Sequence, residues 1–169
     1  MQTLQPVYTK RCEEDAGTKI LHFYLQGILS PGQKLALNLE TRTLSLLSNG
    51  PELIVERQMS INEMHIAIPL LEAFPHYSPY EVLLSHLYSK TVTATSIACC
   101  YQRLQEAQDN GTWQQELRPI RRALSSLRTK LRQFDLEISN IRERGCSLAG
   151  LAVKTYPKNK KLRSRIEPG

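Results

Sequence analysis

Residues 117–131, LRPIRRALSSLRTKL, contain four arginines, one lysine and no acid. A guanidinium group is planar and always charged. It pairs two-pronged with phosphate or with the O6/N7 edge of guanine. Hydroxyls are compact donors that allow close approach to a base edge. The chemistry on offer is the holding of a polyanion, not the making of bonds. At 100° per residue, Leu117, Ile120, Leu124, Leu127 and Leu131 share one apolar stripe roughly 80° wide. Arg118, Arg122, Ser125 and Thr129 fall on the opposite side. Arg121, Arg128 and Arg132 flank them on one edge and Ser126 on the other. A face shaped only for solubility mixes Glu with Lys at i,i+4, and this one does not. Pro119 suits a first turn, so the helix is predicted to begin near Arg118.

The charge of the whole chain supports the same partner. Residues 118–165 hold 14 Lys/Arg against three acids, whereas residues 1–117 hold 8 against 12. A mildly acidic body with a basic C-terminal third is the electrostatic footprint of a polyanion binder. The 169 residues and 41% hydrophobic content suit one domain with its own core. No apolar run approaches the ~18 residues needed to span a bilayer, so no membrane association is expected. The first 17 residues lack the apolar core of a signal peptide, which predicts a cytoplasmic protein. Cys12, Cys99, Cys100 and Cys146 lack paired metal-ligand spacing and are expected to be reduced thiols.

An antiparallel sheet is predicted to come first. KILHFYLQGIL (19–29) is rich in strand formers, KLALNLE (34–40) alternates apolar residues, TRTLSLLS (41–48) follows, and Asn49-Gly50 turns into ELIVERQ (52–58). Helices are predicted next. Ser60 and Glu63 have capping-box spacing, with Ile61, Met64, Ile68 and Leu71 facing inward and Pro69 kinking or breaking the helix. Ser78 and Glu81 repeat that spacing, with Pro79 at the first helical position and Val82, Leu83, Leu87 and Tyr88 inward. Residues 93–108 read as a further helix with Ile97, Cys100, Tyr101 and Leu104 on one side. After the basic helix, 136–142 and 146–153 read as a hairpin with Gly145 as the permissive turn residue. Arg142 and Arg144 lie at its tip, where an arginine can enter a minor groove while the helix fills the major groove. Residues 1–18 and the basic 154–169 are predicted to be flexible, flanking a domain over 19–153.

This order resembles the winged-helix DNA-binding domain of OmpR/PhoB-type transcription regulators over about Lys34 to Leu151. LNLETRTLSLLSNGPELIVERQMSINEMHIAIPLLEAF looks like the family's entry, a strand pair leading to an L-T-x-x-E-F first helix. PHYSPYEVLLSHLY is similar to V-x-S-R-E-E-L-L-x-x-L-W. IRRALSSLRTKL resembles the recognition helix V-D-V-H-I-S-R-L-R-R-K-L, and ISNIRERGCSL the wing I-x-T-V-R-G-x-G-Y-R-L. The resemblance implies an α+β winged helix-turn-helix with an N-terminal antiparallel sheet, three or four helices and a C-terminal hairpin wing. It implies that Arg118, Arg121, Arg122, Ser125, Ser126 and Thr129 meet bases and phosphates, and that Arg142 enters the minor groove. It also implies head-to-tail pairing on direct repeats and a contact to RNA polymerase from the loop between the second and third helices. Here that loop is enlarged, over 89–116, and Glu143 at the wing tip would repel phosphate. Residues 1–33 are too short for a receiver domain, so control by phosphorylation is not expected in this chain.

Catalytic arrangements are lacking. There is no Gly-rich phosphate loop, no G-x-S-x-G and no H-E-x-x-H, and the four histidines are scattered. His65 reads as a hydrogen-bonded helix residue, and Trp113 and Tyr101 as inter-helix packing. No enzyme activity, cofactor or metal is expected. The expected partner is double-stranded DNA, held by Arg118, Arg121, Arg122, Ser125, Ser126, Thr129, Arg132, Arg142 and Arg144. Lys158, Lys160, Lys161, Arg163 and Arg165 would add phosphate contacts. The alternative is an adaptor that presents the same fold to RNA polymerase, a sigma factor or another regulator, with 89–116 as the binding element.

Overall fold

The structure, a computed structural model, describes residues 9–15, 18–49 and 52–151. Gly50 of the expected tight turn, the side chain of Cys12 and the basic tail, with Lys158, Lys160, Lys161, Arg163 and Arg165, lie outside the described residues. The chain is α+β, with two antiparallel sheets and four α-helices among the described residues.

The first sheet has the order β1(Thr9–Asp15)-β2(Thr18–Phe23)-β3(Lys34–Asn38)-β4(Thr43–Leu47)-β5(Leu53–Gln58). Alternation decides its faces. Leu35, Leu37, Leu44 and Leu46 are buried, and their neighbours in each strand are only partly so. β3 and β4 pair Leu35 with Leu46 and Leu37 with Leu44, which stacks the buried residues across the ladder. β1 lies within the stretch expected to be flexible and pairs along β2 with a register shift between Thr9 and Cys12. β2 ends at Phe23, short of the expected 29, because the chain turns over Leu25 with Gly27 at φ 91°.

Helix α1(Ile61–Ala73) starts with the predicted capping box. Ser60 Oγ accepts from the Glu63 amide at 3.1 Å, and Glu63 Oε1 accepts from the Ser60 amide at 2.8 Å. The helix runs through Pro69 without a break, although proline removes the donor to the His65 carbonyl. Its buried side includes Glu63, Ile66, Ala67, Leu70 and Leu71, and Ile61, expected inside, is 55% exposed. Apolar residues surround this helix, so their spacing alone does not select the side that enters the core.

Ser78 does not cap the second helix. Ser78 and Pro79 form a short strand, β6(Ser78–Pro79), paired with Cys146 and Gly145 of the C-terminal hairpin, and α2(Tyr80–Tyr88) begins after Pro79 with no side-chain cap. Strand pairing takes the backbone that the capping box would have used. The inward residues of α2 are Tyr80, Leu83, Leu84 and Ser85, while Tyr88 is half-exposed.

Helix α3(Ala94–Asn110) is capped by Thr93 and Ser96 and ends at Gly111, whose φ of 74° favours glycine. It buries Cys100, Leu104 and Ala107, whereas Tyr101, expected to pack between helices, is 51% exposed. Only Gly111 and Thr112 separate it from α4(Trp113–Leu131), and the Thr112 amide donates to the Ala107 carbonyl at 2.7 Å. A 3₁₀ turn over Arg132–Phe134 leads into the hairpin of β7(Leu136–Ile141) and β8(Gly145–Gly150). The second sheet has the order β6-β8-β7. One hydrophobic cluster joins the inner face of the first sheet, the four helices and the hairpin.

Candidate nucleic-acid interface

Helix α4 starts five residues before the predicted Arg118. Trp113 packs edge-on against Tyr80, with ring centroids 6.1 Å apart, and Leu117 is buried. These contacts draw the preceding turns into the helix, so Pro119 lies inside it and not at its start. The predicted apolar stripe is the buried side. Leu117, Ile120, Leu124, Leu127 and Leu131 are each 3% exposed or less. Burying five large aliphatic side chains stabilises this seam by on the order of 10 kcal/mol, at about 1.5–3 kcal/mol each. The opposite side is thereby fixed toward solvent.

That opposite side carries Gln114, Gln115, Arg118, Arg121, Arg122, Ser125, Ser126 and Thr129, all exposed. None of the exposed residues of α4 is acidic. The single acid of the helix, Glu116, is partly buried and paired with Arg103 of α3 at 3.1 Å. Arg103 also stacks over Tyr88 of α2 at 5.2 Å from the ring centre. The Thr129 and Ser126 hydroxyls rest on helix carbonyls, that of Ser125 at 3.4 Å and that of Ala123 at 3.3 Å.

Two clefts flank the row. One, of about 370 Å³, lies between α4 and the start of α1 and is lined by Arg118, Arg122, Ser126, Gln115, Ser60 and Asn62. The other, of about 570 Å³, lies between α4 and the hairpin, with Arg121, Gln114, Asn140 and Arg142 on its walls. Arg121 is steered by a hydrogen bond to Gln114 Oε1.

The hairpin loop is Arg142-Glu143-Arg144, closed by the Arg144 amide on the Ile141 carbonyl at 3.0 Å. Glu143, not Gly145, takes the left-handed turn conformation, with φ 59°. Gly145 is needed for another reason. A Cβ there would sit 2.0 Å from the Ser78 carbonyl oxygen, so a side chain would force β6 and β8 apart. Arg142 has a nearly fully exposed side chain, with Glu143 3.9 Å away. Arg144 is not brought to the α4 face. It lines a separate cleft with Tyr77, Tyr101 and Leu104. Arg132 is exposed in the 3₁₀ turn and lines neither of the two clefts beside α4.

Two cations of the helix are committed to the protein itself. Lys130 Nζ donates to Glu63 Oε1 at 2.7 Å and to the Gln58 carbonyl at 2.8 Å. Burial alone would raise the pKa of Glu63, but hydrogen bonds from Lys130, Ser126 and Ser60, with the Lys130 charge, hold it below the ordinary value. Arg128 donates to Asn140 Oδ1 at 2.8 Å, and the Cys146 thiol donates to the same oxygen at 3.4 Å. Burial pushes that thiol up to about 11 despite Arg128 nearby, so it stays protonated. Sequence reasoning misses the partners of these two cations, Glu63 and Asn140. The available signal is the angular position of Lys130, at the border between the apolar stripe and the exposed face.

No protein-family model, curated protein or solved structure matches this chain.

Among the described residues, no group of three or more His, Cys, Asp or Glu could hold a metal ion, and no helix is long and apolar enough to cross a membrane. His65 departs from expectation, since its buried Nδ1 has no hydrogen-bond partner among the described residues. Cys99 is exposed, and Cys100 and Cys146 are buried free thiols.

Proposed function

We propose that this chain is a winged-helix regulator of transcription that binds duplex DNA sequence-specifically in the cytoplasm. Helix α4 enters the major groove and the β7–β8 hairpin reaches a neighbouring minor groove. The observation that carries the reading is the exposed row of α4: three outward arginines and three hydroxyls, no exposed acid, and a further arginine at the hairpin tip. Element order supports it as well. A short strand between the first two helices pairs with a C-terminal hairpin next to the last, basic helix, in keeping with an OmpR/PhoB-type domain. Head-to-tail pairing on direct repeats follows from that resemblance.

The test is selection of bound fragments from a random duplex pool, then anisotropy on the winner. Arg118→Glu with Arg122→Glu should weaken capture about 100-fold, since two exposed contacts worth ~1–3 kcal/mol each are reversed. The thermal midpoint should be unchanged. Undiminished capture by the folded double variant would end the reading.

One observation favours an adaptor role beside it. α3 lies within the segment longer than the resembling loop, and its Tyr101 stands exposed beside Tyr77 in an open cleft. Exposed aromatics of this kind mark protein contacts. Gel shifts with and without RNA polymerase separate the two roles: binding only in its presence favours the adaptor.

A further inference from the structure

The cleft between α3 and the start of α2 has a chemistry of its own. Tyr77, Pro79, Tyr80 and Glu81 line one side. Tyr101, Leu104, Gln105 and Gln108 of α3 line another, and steps of three and four set them on one face of that helix. Trp113 and the hairpin tip, with Glu143 and Arg144, complete a space of about 300 Å³. Tyr77 and Tyr101 stand exposed, and Trp113 is held edge-on against Tyr80. The indole N–H of Trp113 and the side-chain amides of Gln105 and Gln108 have no hydrogen-bond partner among the described residues. Glu81 forms no ion pair among them.

We propose that this cleft takes a proline-rich segment of a partner protein, in polyproline II form, with a basic residue beside its prolines. The inference rests on the adaptor reading of the same cleft and names the chemistry of its partner. A polyproline II segment has no internal hydrogen bonds, so its carbonyls need donors, and its rings pack against aromatic faces. The cleft offers both. A helical partner would have no use for the donors, because its carbonyls are already bonded within it. A strand partner would find only the two residues of β6. Length agrees as well. From Tyr101 to Gln108 a helix rises about 10 Å. That is about one turn of polyproline II, three residues at roughly 3.1 Å each, which is the spacing of P-x-x-P. Glu81 and Glu143 outnumber Arg144, so the lining is net acidic and favours a cation on the ligand.

Tyr80, Gln108, Trp113 and Glu143 also line the cleft beside α4. The test therefore uses Tyr77, Tyr101 and Glu81, which line neither cleft of that helix. Two random peptide libraries of equal size, one with P-x-x-P fixed at its centre, are panned against the full chain. Binders should come from the fixed library and carry Lys or Arg close to the prolines. In anisotropy on the best binder, Tyr77→Ala and Tyr101→Ala should each weaken binding about 10- to 30-fold. Glu81→Gln should weaken it about 2- to 5-fold and flatten its salt dependence. Alanine in place of the peptide's prolines should abolish it. Unchanged melting checks the fold of each variant. Binders without proline, no binders at all, or binding indifferent to both tyrosines overturns the proposal. Polymerase-dependent gel shifts separate it from the reading beneath it. A chain that assembles with polymerase but captures no proline peptide keeps the adaptor role and ends this inference. Proline peptides captured through the tyrosines, without any assembly with polymerase, support it and assign the adaptor role another partner.

Discussion

The cations of α4 divide into two halves with opposite allegiances. Toward the start, Arg118 and Arg122 stand exposed over an open cleft, and Arg121 bonds to a glutamine of its own helix. Toward the end, Arg128 and Lys130 turn inward, one to the hairpin and one to the capping box of α1. Sequence type does not distinguish them. Position does: the last turns pack between α1 and β7, where each charge meets an acceptor whose own geometry is already fixed. Like charges therefore do different work, holding the frame at one end and facing solvent at the other. A basic count over 117–131 overstates what is available to a partner.

The contrast is broken most sharply at Lys130. Lys130→Met leaves the Glu63 carboxylate, 4% exposed, without a compensating charge, held only by Ser60 and Ser126, and should cost about 3 kcal/mol in urea unfolding. DNA affinity measured well below the midpoint should scarcely change. A variant as stable as the parent would show that the inward half is ornamental. Arg128→Ala should have a smaller effect, about 1 kcal/mol, from one charged hydrogen bond. Hydrogen exchange should show it concentrated in β7 and β8.

Acid gives the gentlest probe. Glu63 has a lowered folded pKa, so its contribution is complete above the ordinary value of 4.5 and is lost as pH falls through the folded value. Burial, with His65 nearby, lowers the pKa of His86, so the unfolded chain takes up that proton first and stability declines as pH drops below about 6.5. Melting temperature should fall in two stages, the first absent in His86→Gln and the second reduced in Glu63→Gln.

Much of the frame was legible because one face of each element is decided by a single neighbour. Leu35 and Leu37 alternate against the core, and the five aliphatics of α4 recur at helical steps, so spacing alone told inside from outside. Where several neighbours compete, spacing failed. α1 is apolar on most sides, and only packing into the shared core selects Ile66 and Leu70 over Ile61. Ser78 has the sequence of a cap, but β8 claims its backbone from the far end of the fold, which no local pattern can announce. The candidate face was visible as a row of arginines and hydroxyls. Its far walls, Asn62 and Asn140, come from other elements and became visible only once those elements were packed.

The tight passage through Gly111 and Thr112 has a mechanical meaning. Two residues, both of whose amides donate to the Ala107 carbonyl, leave no slack between α3 and α4. The outer tyrosine of α3 and the arginines of α4 are thereby carried on one stiff corner, at a spacing that the chain itself sets.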